Sequence, residues 1–329
     1  MEYIILIVSL AGIVFGADFL VAGAVSVARK FKVSDFVIGA AIGGVGTSMP
    51  ELVVSFIGAL NGNPDVAIGN VVGSNIFNIL GILGLTALFF PIAVSRTNMR
   101  FELPVCVGVS IILTLLVFNF FIGGAPVISR MDGIILLLCF GLFMWYSFYR
   151  DKQKNEEAEI SNTSHSSTKT TNEALWKSIL KVALGLPILI VSCDFFVDNA
   201  VLIAKNFGVN DAFISLTLIA CGTSLPELAA SLVAALKKNT QLALGNVIGS
   251  NIFNITWILG LSAQVMPLNS SGITVIDYCV MIFAAILPLL FGFNGKINRI
   301  AGIGMFLCFV AYTWYLLSTQ NIQHLTYNI

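Results

Sequence analysis

Two carboxylates stand in this chain where carboxylates are costly. Gly46-Thr47-Ser48-Met49-Pro50-Glu51 returns as Gly222-Thr223-Ser224-Leu225-Pro226-Glu227, every residue 176 positions after its counterpart, and both copies lie inside long apolar segments. An acid at membrane depth is expensive unless it is paired or holds a cation, so a duplicated one points to a functional site. In a helix Thr47 and Glu51 are four residues apart and share a face with Ser48 beside them, which predicts two hydroxyls and a carboxylate aimed at one point. Pro50 has no amide hydrogen and crowds the carbonyl of Gly46, so the helix is expected to kink there and loosen the carbonyls of Gly43 to Gly46. Pro226 predicts the same disturbance near Ala220, Cys221 and Gly222. Interrupted backbone at this depth is tolerated where it is buried in protein or lines a cavity.

A second motif follows each copy of the first. AIGNVVGSNIFNI at 67–79 returns as ALGNVIGSNIFNI at 243–255, again 176 positions on. Asn70, Ser74 and Asn78 are spaced four apart, as are Asn246, Ser250 and Asn254, which predicts oxygen donors along one helix face. Gly69, Gly73, Gly245 and Gly249 let helices approach closely. Alone, such residues often glue membrane helices; duplicated beside Thr-Ser-X-Pro-Glu, Ser74, Ser250, Asn78 and Asn254 are expected to bind a ligand. The whole set offers oxygen, which suits hard cations: Ca2+ takes roughly 6 to 8 oxygens in flexible geometry. Two carboxylates would balance one divalent ion, and several Na+ could occupy the same oxygens. Competition for one set of ligands is a physical basis for exchange. No His or Cys cluster offers a softer metal a home. Without a His or Lys base beside these Ser and Glu residues, an intramembrane hydrolase, and enzyme activity generally, is not expected. A channel could use the same acids as a selectivity ring, but duplicated broken helices favour a transporter.

The elements that must hold these residues are membrane spans. Of 329 residues, 57% are hydrophobic and 10% charged, which excludes an ordinary soluble enzyme. Ten apolar spans can be drawn, at about 3–28, 34–60, 66–92, 101–121, 131–149, 175–204, 209–236, 241–266, 273–293 and 298–318. Each suffices to cross a hydrocarbon core, which takes about 20 helical residues. Alternate connections carry fifteen of the seventeen Lys and Arg residues, the other set only Arg130 and Lys205. Since positive residues are retained on the cytoplasmic side, both termini are expected outside and the loop at 150–174 in the cytoplasm of a multi-pass cell-membrane protein. The first span follows Met1-Glu2 with no basic stretch before it and is expected to be retained.

The expected fold is therefore an all-α polytopic membrane protein. Residues 1–149 form a first five-helix repeat, 150–174 a polar linker expected to be mobile, and 175–329 a second repeat. Five is odd, so the second repeat must insert upside down, giving an inverted-topology pair with helices 2 and 7 kinked at the centre. The linker is too short for a folded regulatory domain. Its His165, and His324 in the polar tail, are expected to be solvated residues. The six cysteines all fall in apolar spans without CxxC spacing and are expected to pack as small buried residues.

At this point the residues carry a resemblance. GTSMPE with GNVVGSNIFN, repeated as GTSLPE with GNVIGSNIFN, resembles the two α-repeats of the sodium/calcium exchanger family, within the cation/Ca2+ antiporter superfamily. The resemblance implies an electrogenic antiporter, active as a monomer, in which Ca2+ leaves the cytoplasm as more than one Na+ enters. The lipid bilayer and the two ions are its expected partners, with no resident cofactor and no nucleic acid. By resemblance, Glu51 and Glu227 bind Ca2+ and share Na+. Thr47, Ser48, Thr223, Ser224, Ser74 and Ser250 give hydroxyls, Gly44 and Ala220 give carbonyls, and Asn78 and Asn254 face the central site. Exchangers that also move K+ carry Asp where this chain has Asn254, which implies K+ independence. Proton-coupled relatives replace Thr-Ser-X-Pro with a Gly-Asn-Ala type pattern, so Na+ is favoured over an H+/Ca2+ antiporter, with H+ still competing at the acids. Helices at the place of the first and sixth spans are thought in this family to slide across a rigid core. Asp18 and Asp194 within them, and Asp198, are read as paired or capped acids. Ser55 and Ser231, one turn after each Glu, are read as packing residues.

Overall fold

In lipid every backbone polar group must find its partner within the protein, so apolar runs of this length fold as helices. The computed structural model describes residues 2–118, 126–160, 174–206, 220–270 and 272–326. In chain order the helices are α1 (Glu2–Lys30), α2 (Asp35–Thr47), α3 (Met49–Leu60), α4 (Pro64–Phe89), α5 (Asn98–Val117), α6 (Arg130–Ile160), α7 (Leu175–Asn206), α8 (Ala220–Gly222), α9 (Leu225–Leu236), α10 (Thr240–Val265), α11 (Val275–Phe291) and α12 (Arg299–Thr326). Among the described residues eight helices are long and apolar enough to cross a membrane, or nine if α2 and α3 count as one span. The seventh expected span, 209–236, is described only from residue 220 onward.

Two helices form the centre. The apolar stretch of α10 is 94% buried and that of α4 78%, against no more than 44% in the other six that pass the length test. These two carry the second motif. The surrounding helices turn large apolar residues outward, among them Phe15, Leu138 and Trp314, as a lipid-facing surface requires. α1 lies along α7, and glycines bring the two backbones together. A Cβ on Gly16 would stand 2.5 Å from the amide nitrogen of Leu189, and one on Gly185 2.6 Å from that of Leu20, the small-residue device of membrane helix pairs. Gly245 and Gly249 do the same for α10, leaving no room for a side chain against Phe36 and Ala40 of α2.

Some features depart from expectation. Two short antiparallel sheets join the halves, β1 (Ile92–Ala93) with β4 (Lys296–Ile297) and β2 (Val127–Ile128) with β3 (Leu268–Asn269). They give the chain's exits from helices backbone partners that an all-helical reading leaves out. α6 continues past the apolar end at 149 to Ile160, and Asp151 is buried, accepting a hydrogen bond from the Ser34 amide at 2.8 Å. His165 lies outside the described residues. Cys106 and Cys193 are buried, but Cys279 is exposed, a small residue on the outer face of α11.

Candidate functional site

The first motif breaks its helix rather than bending it. α2 ends at Thr47, Ser48 takes φ −83° and ψ 11°, and α3 begins at Met49, its axis turned 47° from that of α2. Pro50 therefore sits in the first turn of a new helix, where a missing amide hydrogen leaves nothing unsatisfied. Ser224, at φ −91° and ψ 8°, and Pro226 repeat this at the start of α9. Each glutamate consequently lies in the first turn of its helix, where the helix dipole favours negative charge.

The break also corrects the expected grouping. Thr47, Ser48 and Glu51 do not converge within one motif, because Ser48 separates two helix directions. Convergence runs between motifs instead. The Ser48 hydroxyl donates to Glu227 Oε1 at 2.7 Å, and the Ser224 hydroxyl donates to Glu51 Oε1 at 2.8 Å. Both glutamates and both serines are fully buried. Because 48 pairs with 224 and 51 with 227 at the constant offset, the two bonds are mates in a reciprocal contact of the kind a two-fold relation produces.

The second motif braces the first. Asn70 Nδ2 donates to the Glu51 carbonyl at 3.1 Å and to Ser55 Oγ at 2.9 Å. Asn246 Nδ2 donates to the Glu227 carbonyl at 3.2 Å and to Ser231 Oγ at 2.8 Å. Asn70 and Asn246, read from sequence as oxygen donors toward a ligand, thus turn their amide hydrogens to hold the glutamate-bearing turns. Ser55 and Ser231 are the buried acceptors of that brace. Thr47 Oγ1 donates to the Gly43 carbonyl at 2.8 Å and makes a longer contact, 3.4 Å, to Asn246 Oδ1.

The remaining expected residues lie on or beside α2, α4, α8 and α10. Ser250 Oγ donates to the Gly44 carbonyl at 3.3 Å, and that carbonyl also accepts from the Ser48 amide at 3.3 Å. Ser74 Oγ donates to the Val71 carbonyl at 3.1 Å and accepts from Asn254 Nδ2 at 3.2 Å. Asn78 and Asn254 are fully buried. Ala220 opens the short helix α8, directly before Cys221 and Thr223. Glu51 Oε2, Glu227 Oε2, Asn78 Oδ1, Asn254 Oδ1 and Thr223 Oγ1 are buried without a hydrogen-bond donor. Unpartnered buried carboxylate oxygens are costly, and a cation beside Glu51 and Glu227 would be a partner for both.

One local device left no sign in the sequence. Gly39–Gly44 in α2, Phe77–Leu83 in α4 and Asn254–Ile258 in α10 are π-helical, and they contain Gly44, Asn78 and Asn254. A π-turn inserts an extra residue and shifts the hydrogen-bond register, a feature common at functional sites. Sequence reading also passed over Asn75 and Asn251, buried polar residues on α4 and α10. Asn75 Nδ2 donates to the Asn251 carbonyl at 3.2 Å, and Asn251 Nδ2 to the Asn75 carbonyl at 3.0 Å. The signal was present, since both are asparagines 176 apart inside apolar segments.

Outside this centre, Asp18 pairs with Lys237, Oδ1 to Nζ 2.6 Å, on a half-exposed surface, as expected of a paired acid. Asp194 and Asp198 are exposed on α7. A cavity of about 570 Å3 borders Asn70 and Ser74 and reaches Asp65, Asp277 and Tyr312. At the matching register of α10 the space among Leu242, Asn246, Gly39 and Gly43 is about 10 Å3.

Along its length the chain is similar to known proteins. The family described as sodium/calcium exchanger protein matches residues 1–149 and 177–318. CaxA of Alkalimonas amylolytica is 38% identical over 96% of this chain and 98% of its own. The sodium/calcium exchanger MaX1 of Methanosarcina acetivorans is 30% identical, covering 94% of this chain and 97% of that protein. The solved structure of the sodium-calcium exchanger NCX_Mj, soaked with zero Na+ and Ca2+, superposes with a TM-score of 0.79 at 31% identity, over 96% of this chain and 98% of that one.

Proposed function

The chain belongs to the sodium/calcium exchanger family, and from that premise we propose that it is an electrogenic Na+/Ca2+ antiporter that exports Ca2+ in exchange for Na+ without K+. The observation that carries this reading is the set of five buried, donorless oxygens contributed by both motif copies, two of them carboxylate. Glu51 and Glu227 hold the Ca2+, their charges balancing it. Thr47, Ser48, Thr223, Ser224, Ser74 and Ser250, the carbonyls of Gly44 and Ala220, and Asn78 and Asn254 complete ligand sets for Ca2+ or, alternately, for several Na+. Protons compete at the two acids. Shared ligands make occupancy exclusive, which couples the two fluxes.

The halves are inverted repeats of five spans, a reading supported by the reciprocal bonds at offset 176. Both termini face outward and the loop after α6 faces the cytoplasm of the cell membrane, on the Lys and Arg distribution. The cavity beside Asn70 and Ser74 then opens to the outside, since it ends near Asp65, next to a connection poor in positive charge. One chain supplies both halves of the site, which supports function as a monomer. Alternating access proceeds by motion of the glycine-packed pair α1 and α7 over the buried core.

The test is uptake of radiolabelled Ca2+ into Na+-loaded proteoliposomes. Wild type accumulates Ca2+ only with an outward Na+ gradient, K+ leaves the rate unchanged, and Glu51→Gln and Glu227→Gln abolish uptake. Uptake indifferent to the Na+ gradient, or surviving both substitutions, refutes the proposal; flux at channel rates would assign the acids to a pore instead.

A further inference from the structure

We propose that Asn75 is a positioning residue that holds the Asn254 amide with its oxygen toward the ion cluster and makes an amide, rather than a carboxylate, the side chain suited to position 254. This rests on the antiport reading above. The direction of each bond follows from backbone carbonyls, which only accept. Asn75 Nδ2 must face the Asn251 carbonyl, 3.2 Å away, so Asn75 Oδ1 faces the other way. There it accepts from Asn254 Nδ2 at 3.2 Å. The Ser74 hydroxyl donates to the Val71 carbonyl and so accepts the other Asn254 hydrogen, at 3.2 Å. A primary amide carries two donor hydrogens, and both are now committed. Asn254 Oδ1 is left buried without a donor, a fixed acceptor for a cation.

The other half has no such relay. Ser250 donates across to Gly44, Asn251 Oδ1 has no donor, and Asn78 has no partner on either amide atom. Thus Asn75 and Asn251 make equivalent bonds to each other's carbonyls, but only Asn75 also grips an amide of the site. A carboxylate at 254 would set acceptor against acceptor at Asn75 Oδ1. Turning Asn75 over to relieve it would set its oxygen against the Asn251 carbonyl.

The experiment compares Asn75→Ala with Asn251→Ala in the full chain, reconstituted in proteoliposomes, reading KM for Ca2+ and Vmax under a Na+ gradient and Tm in detergent. Each variant removes one amide-to-carbonyl bond, and Asn75→Ala also removes the bond from Asn254, so a merely structural role predicts a larger Tm loss for Asn75→Ala with KM for Ca2+ alike in the two variants. The positioning role predicts, beyond that Tm difference, a KM raised about fivefold or more by Asn75→Ala alone, with Vmax kept within about twofold. A companion set is Asn254→Asp and Asn75→Ser/Asn254→Asp, in which the introduced serine hydroxyl turns to donate to the new carboxylate. The double variant is expected to recover KM that the single one loses. Equal KM for the two alanine variants, or a double variant no better than Asn254→Asp, overturns the proposal. Wild type without Na+-dependent uptake would instead overturn the antiport reading, so the two failures are distinct.

Discussion

The two halves of the site match at the carboxylates and differ at the amides. Glu51 with Ser224 and Glu227 with Ser48 differ by 0.1 Å in their hydrogen bonds, and the Asn70 and Asn246 braces reach the same acceptors. Two turns on, Asn254 is tied twice while Asn78 is untied. Contacts that cross between the halves through first-motif serines are constrained by both helix breaks at once and stay reciprocal. The amides lie in π-helical turns, where register shifts locally, and there identical sequence permits unequal bonding. The carboxylates are therefore held alike by the two halves while the amides are not.

Replacing a glutamate breaks this comparison most severely. Glu51→Gln and Glu227→Gln are each expected to lower Na+-dependent Ca2+ uptake at least about a hundredfold, on the scale of about 3–5 kcal/mol for losing one member of a buried charge pairing. Equal loss in both sustains shared charge; uptake retained by one variant would locate Ca2+ on a single half. Ser48→Ala and Ser224→Ala come next. Each removes a hydrogen bond to a charged acceptor, about 2 kcal/mol, and the Ca2+ KM should rise roughly thirtyfold in both. A difference above about threefold between them would mean that the two serines do not serve the ion equally.

Smaller and deliberately unequal effects are expected at the braces. Asn246→Ala removes the donor to the Glu227 carbonyl and the Ser231 hydroxyl in a tightly packed setting, where only about 10 Å3 is free beside the side chain. Asn70 borders the cavity of about 570 Å3, where water can replace what the side chain gave. Asn246→Ala should therefore destabilise by about 2 kcal/mol and Asn70→Ala by less than about 1 kcal/mol, measured by thermal unfolding in detergent. The reverse order would show that the cavity is dry or closed in the membrane.

Much of this was legible beforehand because composition and duplication are strong signals. The long apolar runs forced helices, and the offset of 176 told which residues must meet; Glu51 and Glu227 do stand at one buried centre. Less legible was how they meet. Helical spacing placed Thr47, Ser48 and Glu51 on one face, yet Pro50 fits best in a first turn, and the break at Ser48 sends that hydroxyl to the other half's glutamate. Likewise four-residue spacing in the second motif could not tell Asn70, which braces backbone, from Asn78, which does not. Which hydrogen of an amide is committed depends on tertiary partners, and π-turns leave no mark in periodicity.

The smallest expected effect lies at the rim, where the halves differ in sequence itself. Lys237 pairs with Asp18 at 2.6 Å and also donates to the Asp18 carbonyl at 3.2 Å, fastening α1 to the end of α9. The position matching Lys237 in the first half is Asn61, which carries no charge, so Asp194 on α7 has no equivalent cation there. With Asp18 about half exposed, such a pair contributes roughly 0.2–1 kcal/mol. Global stability will scarcely register its loss. A two-state equilibrium responds more visibly, because a shift of that size moves the ratio of states by up to about fivefold. If α1 moves relative to α9 during access, Asp18→Asn and Lys237→Met should each change the ratio of outward to inward Ca2+ transport rates by two- to about fivefold, in the same direction. The charge swap Asp18→Lys/Lys237→Asp should return it toward wild type, and Asp194→Asn should leave it unmoved. Unchanged ratios in both single variants would show that α1 and α9 travel together, and the moving surface would then have to be sought on the far side of α7.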